Sequence, residues 1–252
     1  MEPKTLQLNW TKSFNLYTSS VDSTGNATPS ILCDFLQEVA SSHAEHLGWG
    51  FDNLKDNNWF WVLSRLRLKV NHFPHWKDQV EVETWPSGKN GLLWTREFEI
   101  RDLEKQLIGQ ATSGWLVIDL NSKRPQRVDP AALGVDIRAP RKVFEEPLDK
   151  VQSIPEGESV YQRKIGYLDI DVQQHLNNVK FVDWVLEGFT MEFHKVHQLQ
   201  ELEINFLAEA FYGQTIHHRQ HQLSDDTFSH SLYREDDGKE ICRAKTIWQP
   251  RS

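Results

Sequence analysis

The sequence predicts an α+β fold in which two antiparallel sheets each wrap around a long central helix. A long helical pattern is followed by consecutive strand patterns with turn residues between them, and this order of elements occurs twice. At an offset of 149 residues, Asp22 of the first half meets Asp171 of the second. At the same offset Asn26 meets His175. We therefore predict an internal duplication of one structural unit.

The first half of the chain has one strand pattern, one long helical pattern and four further strand patterns. Residues 5–20 alternate loosely, which suits an opening strand. Thr28 and Pro29 are suited to the N-cap and first position of a helix, and Gly48 is suited to its end. The four later strands are predicted at residues 59–72, 79–85, 92–101 and 106–120, with one turn at 86–91 and another at 102–105.

The second half repeats this order after a proline-rich connection. A strand is predicted at residues 159–169, and Asn177 takes the N-cap position that Thr28 holds in the first half. Four strands are then predicted at residues 201–207, 213–223, 228–234 and 240–249. Five prolines among many charges are typical of a linker. We predict units at residues 1–135 and 159–252, joined by a linker at residues 136–158.

Composition limits the classes of function. The chain has 252 residues, enough for a substantial core, and its 28 Lys and Arg against 36 Asp and Glu give a net charge of −8. That charge argues against general nucleic-acid binding. Cys33 and Cys242 lie far apart, which argues against a disulfide framework or a zinc site and favours a reducing cytosol. Without a signal-peptide, membrane-span or nucleotide-binding pattern, we expect a cytoplasmic protein with no membrane partner, metal or cofactor.

The segment Ile170–Glu187 holds the densest group of candidate functional side chains. Polar residues come directly before an apolar helical run, where unpaired N–H groups and the positive end of the helix dipole favour a developing oxyanion. A polar loop that only caps a core helix is the alternative. The candidate residues are Asp171, Gln173, Gln174, His175, Asn177 and Asn178.

Three segments resemble the acyl-acyl-carrier-protein (acyl-ACP) thioesterases of plants and bacteria. The most specific is Asp169–Phe181, with DIDVQQHLNNVKF, and the others are Leu202–Glu209 and Trp115–Pro125. The resemblance extends from about Trp10 to Trp248. It implies a tandem, or double, hotdog fold and hydrolysis of the thioester between a fatty acyl chain and acyl carrier protein, which is the implied partner.

The family motif Asp-x-Asn-x-His, followed by a Glu from a later strand, implies the catalytic residues. Asp171, His175 and Glu209 match it by position, whereas Gln173 stands in place of the Asn. The longer side chain displaces the amide by a methylene, and orientation matters in catalysis. A cysteine nucleophile directly after the Glu is excluded because Ala210 occupies that position.

The resemblance implies a role for each of these residues. Glu209 is expected to be the general base that takes a proton from water, and His175 to orient that water or donate to the thioester oxygen. Asp171 is expected to fix the His175 tautomer or the loop itself. Asn177 is expected to cap the helix and Asn178 to contact substrate or His175. The N–H groups of residues 178–180 are the expected oxyanion donors. Because the first half has Asn26 in place of the histidine and no identifiable counterpart of Glu209, one active site per chain is expected.

Other features leave alternatives open. The histidines His217, His218 and His221 could bind a metal, although a polar edge strand explains them better. Two basic groups could receive an acidic carrier protein or could be solvated sheet faces: Arg65, Arg67 and Lys69, and Arg138, Arg141 and Lys142. The aromatic residues Trp59, Phe60 and Trp61 could line an acyl tunnel or fill the core.

Rival functions remain open as well. One is an acyl-CoA thioesterase of the same fold, and the other is an acyl-binding double hotdog protein that no longer hydrolyses. Gln173 is the residue that keeps the second alternative open. A homodimer is one option for the oligomeric state.

Overall fold

A computed structural model describes residues 8–128, 141–153 and 157–251. Ten strands form one antiparallel sheet in the order β1-β3-β4-β5-β2-β7-β10-β9-β8-β6. The strands are β1 Trp10–Asn15, β2 Trp59–Val70, β3 Gln79–Asn90, β4 Leu93–Arg101, β5 Leu107–Asp119, β6 Glu158–Lys164, β7 His197–Phe206, β8 Thr215–Ser224, β9 Thr227–Arg234 and β10 Glu240–Pro250. The helices are α1 Pro29–His46, α2 Phe51–Lys55, α3 Asn178–Leu186 and α4 Met191–Val196.

The sheet repeats one strand order in its two halves. Strands β1 to β5 and strands β6 to β10 follow the same spatial order, with β2 and β7 adjacent at the centre. Between them, Arg65 pairs with Asn205 and Lys69 with Glu201. The prediction of two separate sheets was therefore wrong, because the two halves share one continuous sheet. Pairing β2 with β7 satisfies backbone groups that would otherwise form two exposed edges.

Helix α1 begins where the sequence predicts. The Thr28 side chain accepts a hydrogen bond from the Ile31 N–H at 3.2 Å, and Pro29 is the first helical residue. The helix ends at His46, just before Gly48, which has a φ of +78°. A buried apolar stripe packs this helix against the sheet, formed by Leu32, Phe35, Leu36, Val39 and Ala40.

The second half lacks an equally long helix. Helix α3 has nine residues, and after a break at residues 187–190 the six-residue helix α4 begins with Thr190 as its cap. A side chain at Gly188 would place its Cβ 2.4 Å from Cε1 of His218. Close approach of the chain to strand β8 therefore coincides with the end of α3. Of the two long helices predicted, the described residues contain one, in the first half.

Several strand predictions also needed correction. Strand β1 covers only Trp10–Asn15 of the predicted 5–20, and β6 ends at Lys164 rather than at residue 169. Strand β3 continues through Pro86 and Gly88, which the sequence assigned to a turn, and it changes register there by a bulge. A bulge accommodates a proline inside a sheet because it removes one residue from the hydrogen-bonded ladder. Strand β8 lies inside the sheet between β6 and β9, so His217, His218 and His221 are not on an edge strand.

The segment 141–153 covers the predicted basic face of β2. The Arg67 guanidinium lies 4.2 Å from the Phe144 ring centroid and 2.8 Å from the Glu201 carboxylate. Arg65 donates to the Leu148 carbonyl at 2.7 Å. Two members of the predicted basic row, Arg65 and Arg67, are thus contacted by this segment and do not form a solvated face or a free docking surface. Of the second basic group, Arg138 lies outside the described residues.

The segment also touches the sheet at two further points. Arg141 stacks on Trp85 at 3.7 Å, and the Val151 N–H donates to the Asn205 side chain at 2.8 Å. The predicted unit boundaries stay predictions, since parts of the linker lie outside the described residues. No helix within those residues is both long and apolar enough to span a membrane.

Candidate active site

Asp171 organises the loop before helix α3 through its backbone contacts. Its Oδ1 accepts hydrogen bonds from the N–H of Gln173 at 2.8 Å and of His175 at 3.1 Å. The Asp171 N–H donates to the His175 carbonyl at 2.8 Å, and Gln174 adopts a positive φ of +67°. These contacts close an Asx-type turn. Of the two roles expected for Asp171, they match the one that fixes the loop.

A second loop brings Glu209 to His175. The Leu176 N–H donates to the Ala210 carbonyl at 2.8 Å, which ties the two loops together beside both side chains. Nε2 of His175 consequently lies 3.7 Å from Oε2 of Glu209. That distance is too long for a direct hydrogen bond, but it allows one oxygen atom to contact both groups. The edge of the Phe211 ring packs on the imidazole, with centroids 5.2 Å apart.

The beginning of helix α3 leaves one N–H group for a ligand. Oδ1 of Asn177 accepts from the Val179 N–H at 2.9 Å, and the Asn177 carbonyl accepts from Lys180 at 2.9 Å. The prediction that residues 178–180 all offer oxyanion donors was therefore wrong for two of the three. Of these three N–H groups, that of Asn178 is the one with no hydrogen-bond partner among the described residues. Capping consumes the others, as expected at a helix start.

The side chain of Asn178 connects this loop to the first half. Its Nδ2 donates to Oε1 of Gln37 on helix α1 at 3.4 Å. Gln37 and Gln173 both line a cavity of about 260 Å³ between α1 and the first half of the sheet, hereafter the catalytic cavity. Its other walls are mainly apolar and include Ala40, Ala44, Trp49, Phe60, Trp61 and Trp115. Phe60 and Trp61 thus line a cavity, whereas Trp59 packs in the neighbouring cluster with Trp94, Val117 and Val128.

The cavity wall also contains a buried cation. Arg96 is 8% exposed, and its Nη1 lies 2.9 Å from Nδ1 of His43 and 3.2 Å from the Thr84 hydroxyl. Burial lowers the pKa of Arg96 to about 10. Sequence reasoning missed this residue. The signal was available in β4, because Phe98 alternates in phase with Arg96 and faces the core.

The first half contains the same loop without the same chemistry. Oδ1 of Asp22 accepts from the N–H of Thr24 at 2.8 Å and of Asn26 at 3.2 Å, like Asp171 in the second half. The Ala27 N–H donates to the Pro74 carbonyl at 2.8 Å, as Leu176 does to Ala210. The residue before Pro74 is Phe73, which therefore occupies the position equivalent to Glu209. The described residues contain one His–Glu pair in this arrangement.

The three histidines of β8 lie in separate environments in the part of the chain that the structure describes. His218 is fully buried, and its Nε2 lies 3.1 Å from Nδ1 of His230, so it belongs to a core hydrogen-bonded pair. His217 lies 3.4 Å from Glu235, and His221 is exposed. Within the described part of the chain, no group of three or more potential metal-binding side chains comes together.

The fold and the candidate site define a class of protein, one with two repeated sets of five strands in a single sheet and, among the described residues, one His–Glu pair between the two loops. Residues 7–134 match the model of the acyl-ACP thioesterase N-terminal domain, and residues 154–250 match that of the C-terminal domain. The chain therefore belongs to the acyl-ACP thioesterase family, as its sequence motifs predicted. The predicted enzyme class, a thioester hydrolase, is confirmed as well.

Relatives match over nearly the whole chain. Oleoyl-acyl carrier protein thioesterase 1, chloroplastic, of Arabidopsis thaliana is 26% identical, with 97% of this chain and 77% of the relative covered. Palmitoyl-acyl carrier protein thioesterase, chloroplastic, of Gossypium hirsutum is 27% identical, with 97% and 64% covered. The crystal structure of an acyl-ACP thioesterase from Bacteroides thetaiotaomicron superposes with a TM-score of 0.88 at 26% identity and covers 96% and 98% of the two chains. The 12:0-ACP thioesterase from Umbellularia californica shares the fold, with a TM-score of 0.84 at 21% identity over 97% and 98%.

Proposed function

We propose that the protein hydrolyses fatty acyl-ACP thioesters to free fatty acid and acyl carrier protein by general-base activation of water. The observation that carries the proposal is the pair of His175 and Glu209, 3.7 Å apart, with His175 two residues after Gln173, which lines the catalytic cavity. The pair supplies a base and a donor for one water molecule. The cavity supplies an apolar environment suited to an acyl chain. Family membership supports the same reaction.

The proposed reaction begins with a water molecule held between Glu209 and His175. Glu209 takes a proton while the water oxygen bonds to the thioester carbonyl carbon. The carbonyl electron pair moves onto oxygen, where the free N–H of Asn178 and the His175 imidazole can donate to it. When the carbonyl re-forms, the C–S bond breaks and the thiolate takes up the proton from Glu209. The products are a fatty acid and the free thiol of the carrier.

The remaining residues of the site position these groups. Asp171 holds the loop backbone in its turn, and Asn177 fixes the start of α3 so that the Asn178 N–H stays available. Gln173 lines the catalytic cavity and occupies the sequence position at which the family carries Asn. We interpret the repeated units as a double hotdog and the cytoplasm as the location. The two buried, free cysteines are consistent with that location.

Two substitutions test the assignment of catalytic roles. Glu209→Gln and His175→Ala should each lower thiol release from acyl-ACP by about 100-fold or more, the usual contribution of acid–base groups. Asn26→Ala is the matched control, because Asn26 holds the position equivalent to His175 in the other loop, and it should leave the rate unchanged. Far-ultraviolet circular dichroism should show the same fold in all three. Full activity in both catalytic variants would overturn the roles proposed.

Because Gln173 replaces the Asn of the family motif, a second candidate function is that of an acyl-binding protein that does not hydrolyse its ligand. Native protein that binds acyl-ACP tightly yet releases no thiol over hours would support that alternative. The carrier is tested separately, by comparing rates for one acyl chain attached to acyl carrier protein and to coenzyme A. A faster rate with coenzyme A would identify the protein as an acyl-CoA thioesterase of the same fold.

A further inference from the structure

A second cavity lies at the position that mirrors the active site across the internal repeat. Its volume is about 410 Å³, larger than the catalytic cavity, and its walls include the loop of Asp22, the start of α1 and the core side of the second half. Phe189, Leu199 and Trp248 are among its apolar wall residues. We refer to it as the mirror cavity.

Equivalent residues show that the two cavities correspond. Trp115 lines the catalytic cavity and donates from Nε1 to the Ser113 hydroxyl at 2.7 Å. Trp248 lines the mirror cavity and donates to the Thr246 hydroxyl at 2.9 Å. Both tryptophans pair across the sheet with a leucine beside a bulge, Leu63 in the first half and Leu199 in the second. The two tryptophans are therefore structurally equivalent residues in the walls of the two cavities.

The loops at the mirror cavity have the same backbone hydrogen bonds as the loops of the candidate active site, but they lack its His–Glu pair. Asn26 lines the mirror cavity where His175 stands in the other loop, and Phe73 lines it where Glu209 stands. No carboxylate or imidazole is available at either position to activate water. A ligand that entered would be bound without being hydrolysed.

One buried polar group in this cavity has no partner. Ser30 lines the mirror cavity and is 6% exposed, and its hydroxyl has no hydrogen-bond partner among the described residues. Burying a hydroxyl without a hydrogen bond costs free energy, so such a group usually meets a ligand or water. Ser30 lies in the first turn of the 18-residue helix α1, where the positive end of the helix dipole favours a negative oxygen.

The acidic side chains at the rim do not oppose a negative ligand, because each has its own cation. Asp22 contacts Arg251 at 2.8 Å, Asp183 contacts Lys180 at 3.2 Å and Glu187 contacts Arg163 at 2.7 Å. Arg251 itself lines the cavity. The site therefore combines apolar walls with one end that can receive an oxygen anion.

We propose that the mirror cavity binds a free fatty acid, with its carboxylate at Ser30 and the first turn of α1 and its alkyl chain against Phe189, Leu199 and Trp248. The site holds the acid without chemistry and is separate from the catalytic cavity. The choice of a fatty acid as the ligand rests on the proposed function, in which this acid is the product. Binding itself does not require that hydrolysis occur.

Equilibrium dialysis with radiolabelled dodecanoate and hexadecanoate tests the proposal. The native protein should bind two molecules per chain. Ser30→Leu fills the mirror cavity, so this variant should bind one molecule and hydrolyse acyl-ACP at the native rate. Ala44→Leu is the matched control on the same helix; it fills the catalytic cavity, so it should also bind one molecule but hydrolyse more slowly. Thermal unfolding checks that both variants fold.

Ser30→Ala keeps the test decisive if Ser30→Leu does not fold. Removing only the hydroxyl should weaken the second binding event by about tenfold, as expected for a hydrogen bond to a charged group, and leave the first unchanged. One molecule per native chain, or two per Ser30→Leu chain, would overturn the proposal. Unchanged affinity in Ser30→Ala would overturn it too. If the native protein binds two fatty acid molecules per chain but does not hydrolyse acyl-ACP, the proposed function is refuted and the mirror-cavity proposal stands.

Discussion

At the scale of single residues, two aspartates accept the same backbone hydrogen bonds in two loops, and only one of these loops carries the proposed catalytic histidine. Asp171 and Asp22 each accept hydrogen bonds from the N–H groups two and four residues later. The turn therefore does not depend on the residue that occupies the fourth position, which is His175 in one loop and Asn26 in the other. Asp171 is a positioning residue by these contacts, and His175 is where the two loops differ chemically.

This assignment predicts different effects for two substitutions of Asp171. Asp171→Asn keeps an oxygen that accepts both N–H groups, so hydrolysis should stay within about threefold of native. Asp171→Ala removes both hydrogen bonds, about 2 kcal/mol in all, and should lower kcat by tenfold or more. A thiol-release assay measures both rates. Asp22→Ala is the control, expected to lower the melting temperature but not kcat.

A result in which Asp171→Asn loses as much activity as Asp171→Ala would contradict the positioning role. The negative charge of the carboxylate would then be required, as it is where a carboxylate holds a histidine tautomer.

Much of the site could be predicted from the sequence because its members lie in one segment. Asp171, His175 and Asn177 follow each other within seven residues, and the family motif added Glu209. The counterpart of Glu209 could not be found, since Phe73 is offset by 136 residues whereas the loops are offset by 149. Only the hydrogen bonds between the loops reveal that equivalence. Arg96 was missed because an arginine in a strand ordinarily faces solvent.

At the scale of secondary-structure elements, strands β8, β9 and β10 are linked by a buried polar chain. His218 contacts His230 at 3.1 Å, and His230 contacts the Thr246 hydroxyl at 2.9 Å. Burial lowers the pKa of His218 from its ordinary value of 6.5 to about 4. Burial, and then the neighbouring His218, lower the pKa of His230 well below its ordinary value. Both imidazoles are therefore neutral in the folded protein at neutral pH.

The buried pair His218 and His230 predicts that the free energy of unfolding falls as the pH is lowered. Between pH 6.5 and about 4 the unfolded His218 binds a proton that the folded one does not. The unfolded state then binds more protons than the folded state. The contribution of His218 to the free energy of unfolding is therefore fully present above pH 6.5 and is lost as the pH falls to about 4. The loss attributable to His218 is about 3 kcal/mol. Urea unfolding at a series of pH values should show this slope.

Two variants identify the source of the slope. His218→Gln should make the free energy of unfolding depend less steeply on pH in this window. His221→Gln, on the exposed part of the same strand, should keep the native slope. Equal slopes in native protein and His218→Gln would contradict the assignment.

The positions of strands could be predicted where apolar and polar residues alternate regularly. Short helices could not be predicted. The alternation of Leu66, Leu68 and Val70 against charged neighbours located β2 within two residues. Helix α4 has six residues, too few for a helical period to become visible. Proline normally excludes a central strand, so β3 was expected to stop before Pro86, and the bulge that admits it depends on pairing with β4.

At the scale of the whole molecule, the two halves depend on each other at several places. Strands β2 and β7 join them in one sheet, and Arg67 pairs with Glu201 across that junction. Gln173 of the second half lines a cavity whose other wall residues come from the first. Asn178 bonds to Gln37 between helices α3 and α1. The duplication predicted from the sequence is thus present, but its two copies form one folded unit.

This dependence predicts that neither half forms a stable monomer alone. Expressed separately, residues 1–150 and 151–252 would each expose an unpaired central strand and half of the core, so each should aggregate or associate. Refolded together, they should regain thiol-release activity, because the catalytic pair and the cavity reunite. Size-exclusion chromatography with light scattering and circular dichroism measures the state of each fragment, with refolded full-length protein as the control. A monomeric half that unfolds cooperatively on its own would show instead that the units are independent domains.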